Sequence, residues 1–270
     1  MLITKDVEVD YNDDLHRYSL LGEKYTSASQ LVEKYCNKFP DDAHIKYAEK
    51  HGNTPEYWKA KWQEKNDKSK VRGDAIHDAN EIALHGRMLD IFNQQQIPVQ
   101  GPITEPIPWI ERPDGVYTER KLWHHGYKIA GRADKIILLT ADDNTEKWES
   151  LAYNTWRTKG LVTTGLKRYA HVEDYKTNEK LNFESYQFKN GTRKMLKYPL
   201  SHLMDCNWVH YCLQLSTYML MLEYQGFLPG TMSIIHFPHP TEECPNPQKQ
   251  KYDVPYMKKE VILMCKFNSK

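Results

Sequence analysis

A chain of 270 residues, 40% hydrophobic and 27% charged, suits one elaborated domain or two small ones and has the balance of a soluble globular protein. Its formal net charge of +1 excludes the large positive excess of a general nucleic-acid binder, so any such contact must use local patches. No apolar run approaches the ~20 residues that cross a bilayer, and Met1–Asp6 lacks the apolar core of a secretion signal. The expectation is an intracellular protein with no membrane partner. Cys36, Cys206, Cys212, Cys244 and Cys265 are odd in number and form no C-x-x-C pair, which argues for reduced thiols.

In chain order, residues 7–25 read as a short hairpin turning at Asn12-Asp13-Asp14, and Thr26-Ser27-Ala28-Ser29 offers caps for a helix through Leu31, Val32 and Tyr35. Pro40-Asp41-Asp42 breaks it. A helix from about Pro55 carries Trp58 and Trp62 on one side, either a core stripe or a base-stacking platform. The next helix sets Ala75, Ile76, Ala79, Ile82 and Ala83 on its apolar side and ends near Gly86. Residues 88–114 read as a connecting loop. Val116–Trp123 and Tyr127–Leu139 form a hairpin around His124-His125-Gly126. A long insertion between Leu139 and Tyr169 exceeds what a hairpin needs, which suggests a substrate flap. His171–Thr177 is a third strand, and residues 182–203 make another long connection. Asn207–Tyr224 is a helix with Leu213, Thr217, Leu220 and Met221 on one side. Thr231–Phe237 is a strand, and Tyr252–Phe267 is a strand or a helix. Basic residues concentrate at Lys59–Arg72 and at Lys189, Arg193, Lys194 and Lys197, each as compatible with a solvated face as with a DNA patch.

Chemistry concentrates in the strands. Side chains two apart in a strand share a face, so Asp174 and Lys176 project together, and strand pairing brings Asp134 of Gly131-Arg132-Ala133-Asp134 alongside them. Two carboxylates and a lysine suit metal-dependent phosphodiester hydrolysis, with acid oxygens holding Mg²⁺ and the lysine acting on water. The alternative is a surface ion pair of little energetic weight. His77 and Glu81 lie one turn apart on one helix face. Glu119 either supports the site or pairs with Lys128 or Arg132 across the hairpin. Gln214 and Tyr218 share a stripe of their helix, and the Tyr218 ring has the alternative of packing in the core.

The ordered series Gly73-x-x-x-His77, Glu119, Gly131-x-x-Asp134, Asp174-x-Lys176 and Gln214-x-x-x-Tyr218 resembles the RecB-like branch of the PD-(D/E)XK nuclease superfamily over residues 70–237. Tyr198-Pro199-Leu200-Ser201-His202-Leu203 adds a likeness to phage-type members and to mitochondrial genome maintenance exonucleases. The resemblance implies an α/β fold with a small mixed central sheet flanked by helices, a restriction-endonuclease-like core at 71–237. An N-terminal hairpin and helical extension (1–70) and a C-terminal extension (238–270) would complete one domain.

It further implies Asp134, Asp174 and Lys176 as catalytic residues, with His77, Asp134 and Asp174 as ligands of Mg²⁺ or Mn²⁺ and Glu119 in support. Gln214, Tyr218, Arg132 and Thr177 would contact or shape the path of DNA. Some RecB-like nucleases carry an iron–sulfur cluster on one early and three closely spaced late cysteines; the wide spacing of Cys244 and Cys265 leads to the expectation of none here. The implied activity is a DNA exonuclease on single-stranded or end-bearing substrate, with the connections at 140–170 and 182–203 arching over the catalytic strand. The alternatives are a non-catalytic DNA-binding or packaging protein, and an endonuclease or RNase.

Overall fold

The computed structural model describes residues 4–101, 107–141, 167–240, 242 and 244–268. In chain order its strands are β1 (Asp10–Asn12), β2 (Arg17–Leu20), β3 (Glu23–Ser27), β4 (Leu89–Phe92), β5 (Gln95–Pro98), β6 (Gly115–His124), β7 (Ile129–Ala141), β8 (Lys167–Lys176), β9 (Leu228–His236) and β10 (Gln250–Asp253). The α-helices are α1 (Ala28–Glu33), α2 (Ala43–His51), α3 (Pro55–His85), α4 (Asn207–Gln225) and α5 (Lys258–Asn268).

Two apolar runs decide the architecture. Ile136–Leu139 and Tyr169–Val172 are buried on both faces of their strands, as in a strand inside a sheet. Ile136 stands opposite Val172 and Leu138 opposite Ala170, and these join the main core with α4. Ile137 and Leu139 point the other way, onto Val116 of β6 and onto Phe92 and Ile97 of the β4–β5 hairpin. Along α4 the burial runs nearly all round, from Val209 through Leu213, Thr217 and Met221. Full burial of a side chain such as Leu213 stabilises the fold by about 1.5–3 kcal/mol. The β8–α4–β9 segment is a crossover joining parallel strands. The result is a mixed α/β fold whose central sheet, in the order β1-β2-β3-β7-β8-β9-β10 with β6 also on β7, is flanked by helices.

Several sequence expectations are corrected. The two helices expected between Pro55 and Gly86 are one, α3, capped by Thr54 with Pro55 in its first turn. Its expected apolar side is largely in solvent, with Ile82 71% exposed. The stripe facing the sheet is Gly73, His77, Asn80 and Leu84, too polar to register in a search for apolar periodicity. Residues 88–114 are not simply a loop, because β4 and β5 pair within them and bury Phe92 and Ile97. Trp58 and Trp62 pack with Tyr47 of α2, outside the main core. The C-terminal segment is both a strand and a helix, β10 then α5. Most of the insertion expected as a flap, 142–166, lies outside the described residues. No described helix is long and apolar enough to cross a membrane.

On the β4–β5 side of the sheet, Lys135 pairs with Asp90 at 2.7 Å and Glu173 at 2.8 Å, and Lys251 reaches the other Glu173 oxygen at 2.7 Å. Burial opposes ionisation of both Lys135 and Glu173, but their mutual charges prevail, raising the lysine pKa and lowering the glutamate's. Lys135→Ala would strand the Asp90 carboxylate and leave Glu173 with Lys251 alone, and breaking a buried pair costs ~3–5 kcal/mol. The expected outcome is a loss of that size in urea unfolding; a loss below ~1 kcal/mol, the level of an exposed pair, would contradict it.

Candidate functional site

The site lies where β7 loses one of its neighbours. One edge of β7 pairs with β6 over Ile129–Leu138. The other pairs with β8 from Lys135 to Ala141 and with β3 only at Ile129 and Ala130. Between them, no described strand pairs with residues 131–134 on this second edge. The β7–β8 ladder ends at Lys135 opposite Glu173, so the next residues outward are Asp134 and Asp174, on the face opposite the Lys135 cluster. There the main-chain ladder is replaced by a side chain, with the Tyr175 N–H donating to Asp134 Oδ2 at 2.6 Å.

The expected residues converge here. His77 Nδ1 lies 3.4 Å from Asp134 Oδ1 and 3.9 Å from Glu119 Oε1. Lys176 forms an ion pair with Asp174 Oδ2, and its Nζ lies 4.8 Å from the Tyr211 ring centre. That pair is buried, which excludes the surface-pair alternative. Glu119 also takes the cross-hairpin alternative, since its second oxygen accepts from Arg132 Nε at 2.9 Å. Its backbone is left-handed, φ 48°, although its neighbours Thr118 and Arg120 keep their pairing to β7. A bulky residue in that region is an outlier costing ~1–2 kcal/mol, and such strain clusters at functional positions.

Charge is tightly coupled across the group. Burial works against the His77 imidazolium, but Asp134 and Glu119 beside it, with the Asp174 charge, outweigh this and raise the pKa to about 10. Burial raises the Asp174 carboxyl; Lys176 pulls it down and Asp134 pushes it up. Burial opposes the charge on Lys176, yet Asp174 and Asp134 raise its pKa.

Helix α3 is held over this opening by Arg72, whose guanidinium donates to the carbonyls of Thr177 (2.6 Å), Phe237 (3.1 Å) and Pro238 (2.9 Å). Gly73 permits the approach, since a Cβ there would stand 3.3 Å from Thr177 Oγ1. Sequence reading placed Arg72 only in a basic patch; three carbonyl partners from distant segments leave no local signal. Thr177 and Arg132 line the cleft, of about 820 Å³, with Glu119, Asp134 and His77. Asp74, Asp78 and Glu81 also line it, against Lys70 and Arg132. Gln214 Nε2 donates to the Tyr218 hydroxyl at 2.9 Å. Tyr218 itself is 4% exposed, so its ring takes the core-packing alternative and shapes the floor beneath Gly131. In the second basic patch, Arg193 and Lys194 are paired with Glu184 and Asp205. The connection 182–203 sinks Leu196 and Leu200 into the core, with Lys197 N–H donating to Tyr35 O.

A cation fits this donor set. His77, Glu119 and Asp134 offer ligand atoms within 4.8 Å of one another. Asp174 stands outside that set, but its Oδ2 is buried with no hydrogen bond of ordinary geometry, only the Lys176 ion pair. No family model matches the chain, and no curated protein matches it. A solved structure, the crystal structure of SSO0001, is similar over 93% of this chain and 78% of its own, at 16% identity and a TM-score of 0.37. At that level it carries no argument about fold or function.

Gly131 lies over the Tyr218 ring, where an added Cβ would come within 2.6 Å of Cε1 and 3.4 Å of the Ala28 Cβ. Gly131→Ala is therefore expected to displace the ring and destabilise the protein by ~1–3 kcal/mol, the usual cost of overpacking. Gly101→Ala, which meets nothing within 4 Å, is the control in the same urea titration. Equal midpoints for the two variants would contradict the close approach.

Proposed function

We propose that this protein is a Mg²⁺- or Mn²⁺-dependent nuclease that hydrolyses phosphodiester bonds in DNA, as an exonuclease on single-stranded or end-bearing substrate. The observation that carries the reading is the meeting of Asp134, Glu119 and His77 with the buried Asp174–Lys176 pair at the parting of β7 and β8. The same residues, in the same order, make the sequence resemble the RecB-like nucleases.

Asp134, Asp174 and His77 would hold the metal, with Glu119 in support; oxygen donors plus one imidazole suit Mn²⁺ and Mg²⁺. An ion held by these residues would supply a lowered water pKa and neutralisation of charge on the phosphate and leaving oxygen. The chain's own residues prepare that chemistry. The Tyr175 N–H fixes the Asp134 carboxylate through Oδ2, leaving Oδ1 toward His77. Lys176 keeps a protonated ammonium beside Asp174, placed to orient a water or to balance charge on the pentavalent phosphate. Arg132 clamps Glu119. With five carboxylates against Lys70, Arg132 and the His77 imidazolium along its lining, the cleft keeps a net negative balance that repels a bare phosphodiester, which agrees with a site that works only when cations are bound. The groove next to it, lined by Lys24, Lys34, Lys38 and Tyr211, offers cations and an aromatic face to a single strand.

The test is cleavage of end-labelled single- and double-stranded DNA, linear and circular, with Mg²⁺, Mn²⁺ or EDTA. Linear single strands should be degraded with either metal and left intact in EDTA. Asp174→Ala and Lys176→Ala should each lower the rate by ~10²–10³-fold, since the charge stabilisation removed is several kcal/mol. Asp174→Ala should keep most of its DNA affinity. Wild-type rates in Asp174→Ala would refute the metal-site assignment, and efficient cutting of closed single-stranded circles would refute action at ends.

A further inference from the structure

A second group of ligating side chains lies beyond the carboxylate site, where the segment after α1 meets the start of α4. Cys36 Sγ is 3.3 Å from His210 Nε2, and the same Nε2 is 2.8 Å from Asp205 Oδ1. The three ligand atoms all lie within 4.8 Å of one another. We propose that Cys36, Asp205 and His210 form a zinc site with three protein ligands and a fourth position open to the neighbouring groove.

Geometry separates this from a Cys–His–Asp relay. In a relay the imidazole uses one nitrogen for the nucleophile and the other for the carboxylate. Here thiol and carboxylate both face Nε2, and one nitrogen cannot serve both as proton acceptor and as proton donor. Three donor atoms gathered within 4.8 Å of one another are an arrangement a metal ion satisfies. At ordinary Zn–S, Zn–N and Zn–O lengths, the edges of a tetrahedral site are about 3.3–3.6 Å. The Sγ–Nε2 and Nε2–Oδ1 separations fall within about half an ångström of those edges, and the thiol and carboxylate atoms lie within 4.8 Å of each other.

The surroundings support the ligands as outer partners of a metal site do. Asp205 is 7% exposed. Its Oδ2 accepts from Asn37 N (3.0 Å) and Asn37 Nδ2 (2.8 Å) and pairs with Lys194 Nζ (3.1 Å), leaving Oδ1 to face His210. Asn37 directly follows Cys36, so one turn of chain presents the thiol and orients the carboxylate. Cys36 and His210 line the groove that also holds Tyr211 and Gln214, which gives the fourth position access to solvent or ligand. Thiolate with imidazole selects zinc over the hard cations suited to the oxygen-rich site. The proposal is independent of the nuclease reading.

The test uses the full chain, purified without a metal-binding tag, stripped with chelator and reloaded with Zn²⁺ in excess Mg²⁺. Elemental analysis after desalting should find about one Zn²⁺ per chain, retained in a His77→Ala/Asp134→Ala variant and lost in Cys36→Ala and in His210→Ala. Co²⁺ loading of the unaltered protein should give near-ultraviolet thiolate-to-cobalt absorption, a readout that does not depend on any variant folding. Less than about one-tenth of an equivalent of zinc, or a cobalt spectrum without thiolate character, would overturn the proposal. The group would then be a hydrogen-bonded knot in which the Cys36 thiol donates to Val32 O.

Discussion

The hydrogen bond from Tyr175 N–H to Asp134 Oδ2 is the contact on which the site depends. It sits where β7 and β8 cease to pair, and it lets the strands part without orphaning a buried donor, which would cost about 1–3 kcal/mol. Because the acceptor is a carboxylate, the same bond delivers a charge to the bottom of the opening. β3 rejoins the edge of β7 only at Ile129 and Ala130, so the opening is bounded on both sides by paired strand. Helix α3 closes over it through Arg72 and Gly73.

The two faces of the β7–β8 pair handle buried charge differently. On one, Asp90, Glu173, Lys135 and Lys251 alternate in sign and satisfy one another. On the other, Glu119, Asp134 and Asp174 meet Arg132 and Lys176, and balance requires one further positive charge. A proton on His77 supplies it when no cation is present, which is why that imidazole's pKa is raised despite burial. A divalent ion would compete for the same place. The left-handed backbone of Glu119 fits this picture as strain retained to bring a third carboxylate to the cluster.

Much of this site was legible in the sequence because strand periodicity is strict. Once Asp134 and Asp174 are placed on neighbouring strands, alternation leaves few ways to separate them from Lys176. The long polar helix was harder, since only Leu84 along α3 is fully buried and its sheet-facing stripe runs through Gly73, His77 and Asn80. β4 and β5 were hidden because each is only four residues long and β5 is half Gln and ends on Pro. Tyr218 gave an ambiguous signal, because an aromatic on an amphipathic helix serves a core or a ligand equally well. Cys36, Asp205 and His210 carried none, being brought together only by the docking of α1 on α4.

An NMR titration of the His77 imidazole, first in EDTA and then with Mg²⁺, reads the charge demand of the carboxylate cluster. If the carboxylate cluster demands a cation, the folded chain in EDTA should hold the proton well above the ordinary value of 6.5, toward about 10. Because the folded pKa is raised, the stabilisation is full below about 6.5 and is lost as pH rises through about 10. Mg²⁺ should displace the proton at neutral pH, and Asp134→Asn should return the imidazole toward its ordinary value. An imidazole that titrates near 6.5 in EDTA and ignores Mg²⁺ would contradict the account.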